Sequence, residues 1–251
     1  MNKLLRFGFG NAKLIETIAT FSLPSGFTCP CAKACLSKSN RQTGVITDGP
    51  DTEFRCFTAS MEAVFPTLRA SRWGNLDMLK ECKTVAAMVD LICQSLAPIK
   101  DKVAKVRVHV SGDFFSENYF KAWMAVARAF PSLIFYGYTK RIGLLVKYKN
   151  ELPANFRFVA SWGGTEDNLI VKYNIKSAKV VFTENEAAAL GLELDHADDH
   201  AYSADFKSFA LLLHGTQPKG TPAGEAWKVI KKAGKGYNMA RRDATGIGAT
   251  K

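Results

Sequence analysis

With 251 residues, 47% of them hydrophobic and 23% charged, the chain has a globular composition and can build a core without disulfide staples. No stretch approaches the roughly 20 apolar residues of a membrane span, and Met1 to Phe7 lacks the apolar run of a secretory leader, so the expectation is a soluble cytoplasmic protein with no membrane contact. The formal charge of +11 makes nucleic acid or another polyanion an expected partner, through the basic C-terminal stretch of Lys228, Lys231, Lys232, Lys235, Arg241 and Arg242.

In chain order, Leu14 to Leu23 is β-branched and apolar and runs into Pro24-Ser25-Gly26, which predicts a strand leaving a sheet into a loop. From Leu76 to Leu96, apolar residues at three- and four-residue steps predict one amphipathic helix with Cys82 and Cys93 on its core face. Val106 to Val110 alternates as a strand and should set Val106, Val108 and Val110 on one face, Arg107, His109, Ser111 and Asp113 on the other. Ser116 is placed to cap a helix burying Phe120, Trp123, Met124, Ala127 and Phe130.

The alternation then repeats: strand Leu133 to Tyr138, helix Ile142 to Lys149, strand Phe156 to Ser161, helix Asp167 to Tyr173, strand Ala178 to Phe182 and helix Glu184 to Leu190. Gly191 to Tyr202 reads as a polar loop whose Asp195 to His200 stretch is solvated and acidic, before strand Phe209 to Leu213 and helix Ala223 to Lys232. Six strands separated by helices call for parallel pairing with right-handed crossovers, as a partial barrel or an open doubly wound sheet. The expected organisation is a single α/β domain over 1–243, with a cysteine-bearing loop at 24–60 and a frayed tail at 244–251.

Six cysteines in a chain with no sign of secretion point to metal or catalysis, since the cytoplasm keeps thiols reduced. Cys29, Cys31 and Cys35 lie in the loop after the first long strand, and Cys56 returns to it later. Soft thiolates select iron-sulfur clusters, zinc or Cu(I), and zinc sites favour a second cysteine pair that Cys56 lacks. The leading expectation is therefore an iron-sulfur cluster on Cys29, Cys31, Cys35 and Cys56, of the [4Fe-4S] type. Because Cys29 and Cys31 are separated only by Pro30, both can ligate only if the loop doubles tightly there. A zinc-stabilised nucleic-acid-binding protein is the alternative. The strand ends Ser111-Gly112-Asp113, Tyr138 to Arg141, Ser161 to Gly164 and Leu213 to Thr216 put polar groups and glycines where α/β proteins draw ligand contacts.

The runs Phe21 to Pro30, Phe54 to Ser60, Ser111 to Ser116 and Leu212 to Gln217 resemble the bacteriophage gene product 88 family, with the likeness covering about Ser22 to Tyr237. In layout the chain also resembles radical S-adenosylmethionine enzymes. That resemblance implies a partial (β/α)6 TIM-like barrel, a [4Fe-4S] cluster in the loop after the first strand, and a glycine-acidic turn, here Gly112-Asp113, for the cosubstrate. It extends the cofactor-binding set to Ser111, Gly112, Asp113, Lys140 and His214, the last as a non-cysteine ligand. The spacing departs from that of the enzymes: their C-x3-C-x2-C pattern would place a cysteine where Lys38 stands. S-adenosylmethionine binding and a radical enzyme are therefore a third reading.

Overall fold

A computed structural model describes residues 3–10, 14–205 and 207–234. The tail at 244–251 and Lys235, Arg241 and Arg242 of the expected polyanion-binding stretch lie outside them. In chain order the elements are β1 (Gly8–Phe9), β2 (Ile18–Ser22), β3 (Ser37–Ser39), β4 (Ile46–Asp48), α1 (Phe57–Val64), α2 (Pro66–Glu81), α3 (Val85–Leu96), β5 (Lys105–Ser111), α4 (Glu117–Ala129), β6 (Ile134–Thr139), α5 (Ile142–Lys147), β7 (Phe156–Ser161), α6 (Asn168–Tyr173), β8 (Ser177–Val181), α7 (Glu184–Ala189), β9 (Glu193–Leu194), α8 (Asp199–Tyr202), β10 (Phe209–Leu212) and α9 (Pro222–Lys232).

An eight-stranded sheet runs β1-β2-β5-β6-β7-β8-β10-β9, and β3 and β4 form a separate hairpin. Among the described residues only β1 pairs antiparallel within the large sheet. The six predicted strands appear as β2, β5, β6, β7, β8 and β10, side by side in chain order. That order lacks the reversal of a doubly wound sheet, and right-handed crossovers advancing one way put the helices on a single face. Accordingly Val106, Val108, Phe135 and Phe156 pack against Ile92 and Leu96 of α3 and Phe120 and Trp123 of α4. Farther along the sheet, Ala160 meets Ile142 and Ile170, and Val181, Ala210 and Leu212 meet Ala187, Ala223 and Ile230. Ser116 caps α4 as expected, its Oγ accepting from the Tyr119 amide.

The opposite face departs from the sequence reading. Instead of a solvated acidic loop, 195–200 includes a buried Asp195 and a buried Asp198, and Ala201 of α8 packs with Tyr136, Val159 and Phe209. The reason is charge pairing: Asp198 Oδ2 accepts from Arg107 Nη1 at 2.6 Å, and its two oxygens also receive the hydroxyls of Tyr136 and Tyr138. A buried carboxylate is retained when a cation and further donors satisfy it.

Two local expectations are also corrected. The predicted helix Leu76 to Leu96 is two helices, because Thr84 caps α3 by accepting from the Ala87 amide while α2 begins earlier, at Pro66. The alternation of β5 breaks at His109, whose φ is +63°, within a register shift against β2. His109 therefore turns toward the helix layer, bonding Tyr119 and packing on Phe114, instead of sharing a face with Arg107.

Candidate metal-thiolate site

The loop after β2 lies across the ends of several strands, held there by backbone bonds. Leu23 donates to the Ser111 carbonyl, Lys33 and Ala34 both donate to that of Gly163, and Thr165 donates to that of Cys31. Gly112, at φ +87°, is where the loop crosses β5: a Cβ there would stand 2.5 Å from Thr28 Oγ1 and 2.8 Å from Leu23 Cβ. Gly112→Ala is expected to cost about 2–4 kcal/mol in urea unfolding, from left-handed strain plus the overlap. A loss under about 1 kcal/mol would show that the crossing is loose.

The segments carrying Cys35 and Cys56 are bonded together, Glu53 and Phe54 donating to the Ala34 carbonyl. Burial pushes the Cys29 thiol well up, and the charges of Asp113, Cys56 and Cys35 add to the effect. Cys35 is raised to about 11 by burial; the Lys140 ammonium opposes that rise, and Cys56 and Asp113 reinforce it. Cys31, only two residues from Cys29, belongs to different surroundings. Its Sγ faces Glu166 Oε1 at 3.4 Å, and the charges acting on it are those of Glu166 and Arg141. Glu166 is itself fixed by the Gly143 amide, 2.7 Å from Oε2. Cys82 and Cys93 pack against the main core, as expected.

Cys56 is positioned by groups that spacing alone did not point to. The Gln217 side chain clamps the preceding residue, its Oε1 accepting from the Arg55 amide at 2.7 Å and its Nε2 donating to the Arg55 carbonyl at 3.0 Å. The Cys56 amide donates to Ser37 Oγ, and its Sγ lies 3.1 Å from Thr58 Oγ1. From Thr58 the chain of contacts continues to Ser111 Oγ at 3.0 Å, then to Glu62, which is fully buried with Arg72 Nη1 at 2.7 Å.

The remaining predicted residues fall around the same loop. Asp113 is spent on internal bonds: its carboxylate accepts from Thr139 Oγ1 at 2.6 Å and from the amides of Lys140 and Phe114. Burial raises its pKa although these bonds and Lys140 pull downward. Lys140 Nζ donates to Ser161 Oγ at 2.9 Å and to the carbonyls of Ser161 and Trp162. His214 packs against Phe57, next to Cys56 in the chain, with ring centroids 4.3 Å apart and the planes tilted by 42°, and its Nδ1 lies 3.2 Å from the Leu212 carbonyl.

Thiols raised by burial are poor nucleophiles, because the thiolate is the reactive form. Coordination to a metal is the chemistry that would deprotonate them. A single ion draws its thiolates to about 2.3 Å from one centre, and among the described residues no three His, Cys, Asp or Glu side chains are grouped to hold one. A polynuclear cluster asks for a different arrangement, with thiolates distributed over separate irons.

A family model described as Gene product 88 matches residues 3–237. The "Gene 88 protein" of Mycobacterium phage D29 is 29% identical over 139 residues, covering 52% of this chain and 50% of that protein. That of Mycobacterium phage L5 is 28% identical over 138 residues, covering 52% and 51%. The chain thus spans about half the length of the curated relatives it matches. No solved structure matches it. Among the described residues no helix is long and apolar enough to cross a membrane.

Proposed function

This chain belongs to the gene product 88 family, and from that footing we propose that it is an iron-sulfur protein whose [4Fe-4S] cluster is ligated by Cys29, Cys35 and Cys56. The observation that carries the reading is that the two cysteine-bearing segments are bonded together, Glu53 and Phe54 donating to the Ala34 carbonyl and the Cys56 amide to Ser37 Oγ, while Cys31 faces Glu166. On this reading the parallel strands, adjacent in chain order, curl into a partial (β/α)6 barrel with the cysteine loop over its C-terminal rim. A bound cluster supplies one-electron chemistry. The chain's own contribution is to hold the thiols: Gln217 and Ser37 fix Cys56, and the Gly163-Gly164 turn fixes the loop carrying Cys29 and Cys35.

Three protein ligands leave one iron for a non-protein ligand, which favours S-adenosylmethionine binding as a second reading. Against it, Asp113 of the glycine-acidic turn is occupied by Thr139 and Lys140. Reductive cleavage of the cosubstrate by the reduced protein is its test.

For the leading reading, protein expressed with iron supplied and purified without oxygen is expected to carry about four irons and as many acid-labile sulfides per chain. Cys29→Ala, Cys35→Ala and Cys56→Ala should each lose most of both, whereas Cys31→Ala should keep them. Wild-type protein with neither iron nor sulfide overturns the proposal. Equal loss from Cys31→Ala overturns the ligand set.

A further inference from the structure

The chain has no acidic residue between Glu16 and Asp48, while Lys33, Lys38 and Arg41 fall within that stretch. The fold sets the last two of these cations on a pair of aromatic rings. Phe27, from the loop after β2, and Trp73, from α2, have ring centroids 4.9 Å apart and planes tilted by 60°. Lys38 Nζ lies 5.6 Å from the Phe27 centroid, and the Arg41 guanidinium carbon lies 4.9 Å from that of Trp73. Cation, ring, ring and cation thus follow one another, with Phe27 45% exposed and Lys38 and Arg41 exposed beside it.

The row is held in place from behind. Gly26, at φ +70°, lets the Lys38 stem lie on the loop next to Phe27: a Cβ there would stand 2.6 Å from Lys38 Cγ and 2.5 Å from the Ser37 carbonyl oxygen. The buried Arg69 docks the β3–β4 turn by donating to the carbonyls of Arg41, Gln42 and Glu62. Two carboxylates face the cations of this stretch. Asp77 bonds Arg41 through both oxygens, which takes two of the five guanidinium donors, and Asp51 lies 4.0 Å from Lys33. Lys38 has no carboxylate partner among the described residues.

Half-exposed rings beside cations suit a ligand that carries planar groups and phosphates together, because stacking and phosphate neutralisation are the two ways in which a single strand is held. An acidic peptide would answer the charges and leave the rings unused. A duplex keeps its bases stacked on one another. We propose that this surface binds single-stranded nucleic acid, with a base stacked on Phe27 beside Trp73 and with Lys38 and Arg41 on the flanking phosphates. The attraction that holds Lys38 on the Phe27 ring is weaker than base stacking, so the ammonium exchanges the ring for a phosphate as the base arrives. The surface needs no metal at the cysteines, and it belongs to a different part of the chain from the basic C-terminal stretch.

The test follows fluorescein-labelled oligo(dT) of about 20 nucleotides by anisotropy, at about 50 mM and about 200 mM salt. Micromolar binding is expected at the lower salt, falling steeply at the higher. Phe27→Leu, which keeps apolar bulk without a ring, should weaken it about tenfold, and Phe27→Trp should stay within about threefold of wild type. Lys38→Gln should lessen the slope of log affinity against log salt by about 0.7, the share of one phosphate contact, and Lys38→Arg should keep the wild-type slope. If Phe27→Leu fails to fold, by circular dichroism and melting, the Lys38 variants at their exposed position decide the matter. Wild-type affinity in a folded Phe27→Leu, an unchanged slope in Lys38→Gln, or no binding by wild type at the lower salt overturns the proposal. So does a loss confined to a Lys231→Gln, Lys232→Gln double variant, which would move the contact to α9. Displacement of the probe by duplex DNA or polyglutamate as readily as by unlabelled oligo(dT) would leave charge without stacking and overturns it as well.

Discussion

Asp198→Asn is expected to lower the unfolding free energy by about 3–5 kcal/mol, the usual cost of breaking a buried ion pair by removing one partner. The substitution keeps the side chain's shape, and asparagine tolerates the left-handed backbone found there, φ +64°. What it removes is the carboxylate that accepts from Arg107 at 2.6 Å and from the Tyr138 hydroxyl at 3.0 Å. Asp198 immediately precedes α8, and α8 covers the face of the sheet opposite the main helix layer, so the effect should reach the packing of Ala201 and Tyr202 against Tyr136 and Phe209. Replacing Arg107 with Met in the same protein should restore much of the loss, because the double variant no longer buries a charge beside the vacated position. Urea denaturation of the single and double variants measures both values. A loss under about 1 kcal/mol in Asp198→Asn would mean that the pair is effectively solvated.

The parallel sheet was legible in the sequence because strands and helices such as β5, β7 and α4 bury apolar residues at the spacing their geometry requires. The elements around the cysteine site were not legible, for the opposite reason. Helix α1 buries Thr58, Ala59 and Glu62 while Val64 is 67% exposed, and α2 buries Arg69, Arg72 and Asn75 along with Leu76 and Leu79. A search for apolar periodicity finds neither α1 nor the first turns of α2, since their inward faces are polar and satisfied by partners distant in the chain. The pairing of Asp198 with Arg107, 91 residues apart, was hidden in the same way, and an acidic segment therefore read as solvated. The cysteines show a third limit. Spacing put Cys29 and Cys31 in one group, whereas in the fold the Cys31 thiol faces Glu166, 135 residues away in the chain.

The break in β5 at His109 should make the stability of this fold depend on pH. Its imidazole is buried, with Nε2 3.0 Å from the Tyr119 hydroxyl, the ring edge-on to Phe114, and no hydrogen-bond partner at Nδ1 among the described residues. Burial lowers its pKa from 6.5 to about 3, because a charged ring there would lose its water without gaining an anion. Between those values the unfolded chain binds a proton that the folded chain does not, so stability rises with pH across the window. The contribution is complete above about pH 6.5 and is lost progressively as pH falls toward 3. At about 1.4 kcal/mol per unit of pH, the loss is about 2 kcal/mol at pH 5 and about 4–5 kcal/mol near pH 3. Carboxylates titrate in the same range, so the informative quantity is the difference between wild type and His109→Asn, a non-titrating variant that accepts positive φ. Urea unfolding of the two proteins from pH 7.5 to 4.5 should give a steeper fall for wild type, by roughly 2 kcal/mol at pH 5. Parallel curves would show that the ring is protonated within the folded protein and that the core admits its charge.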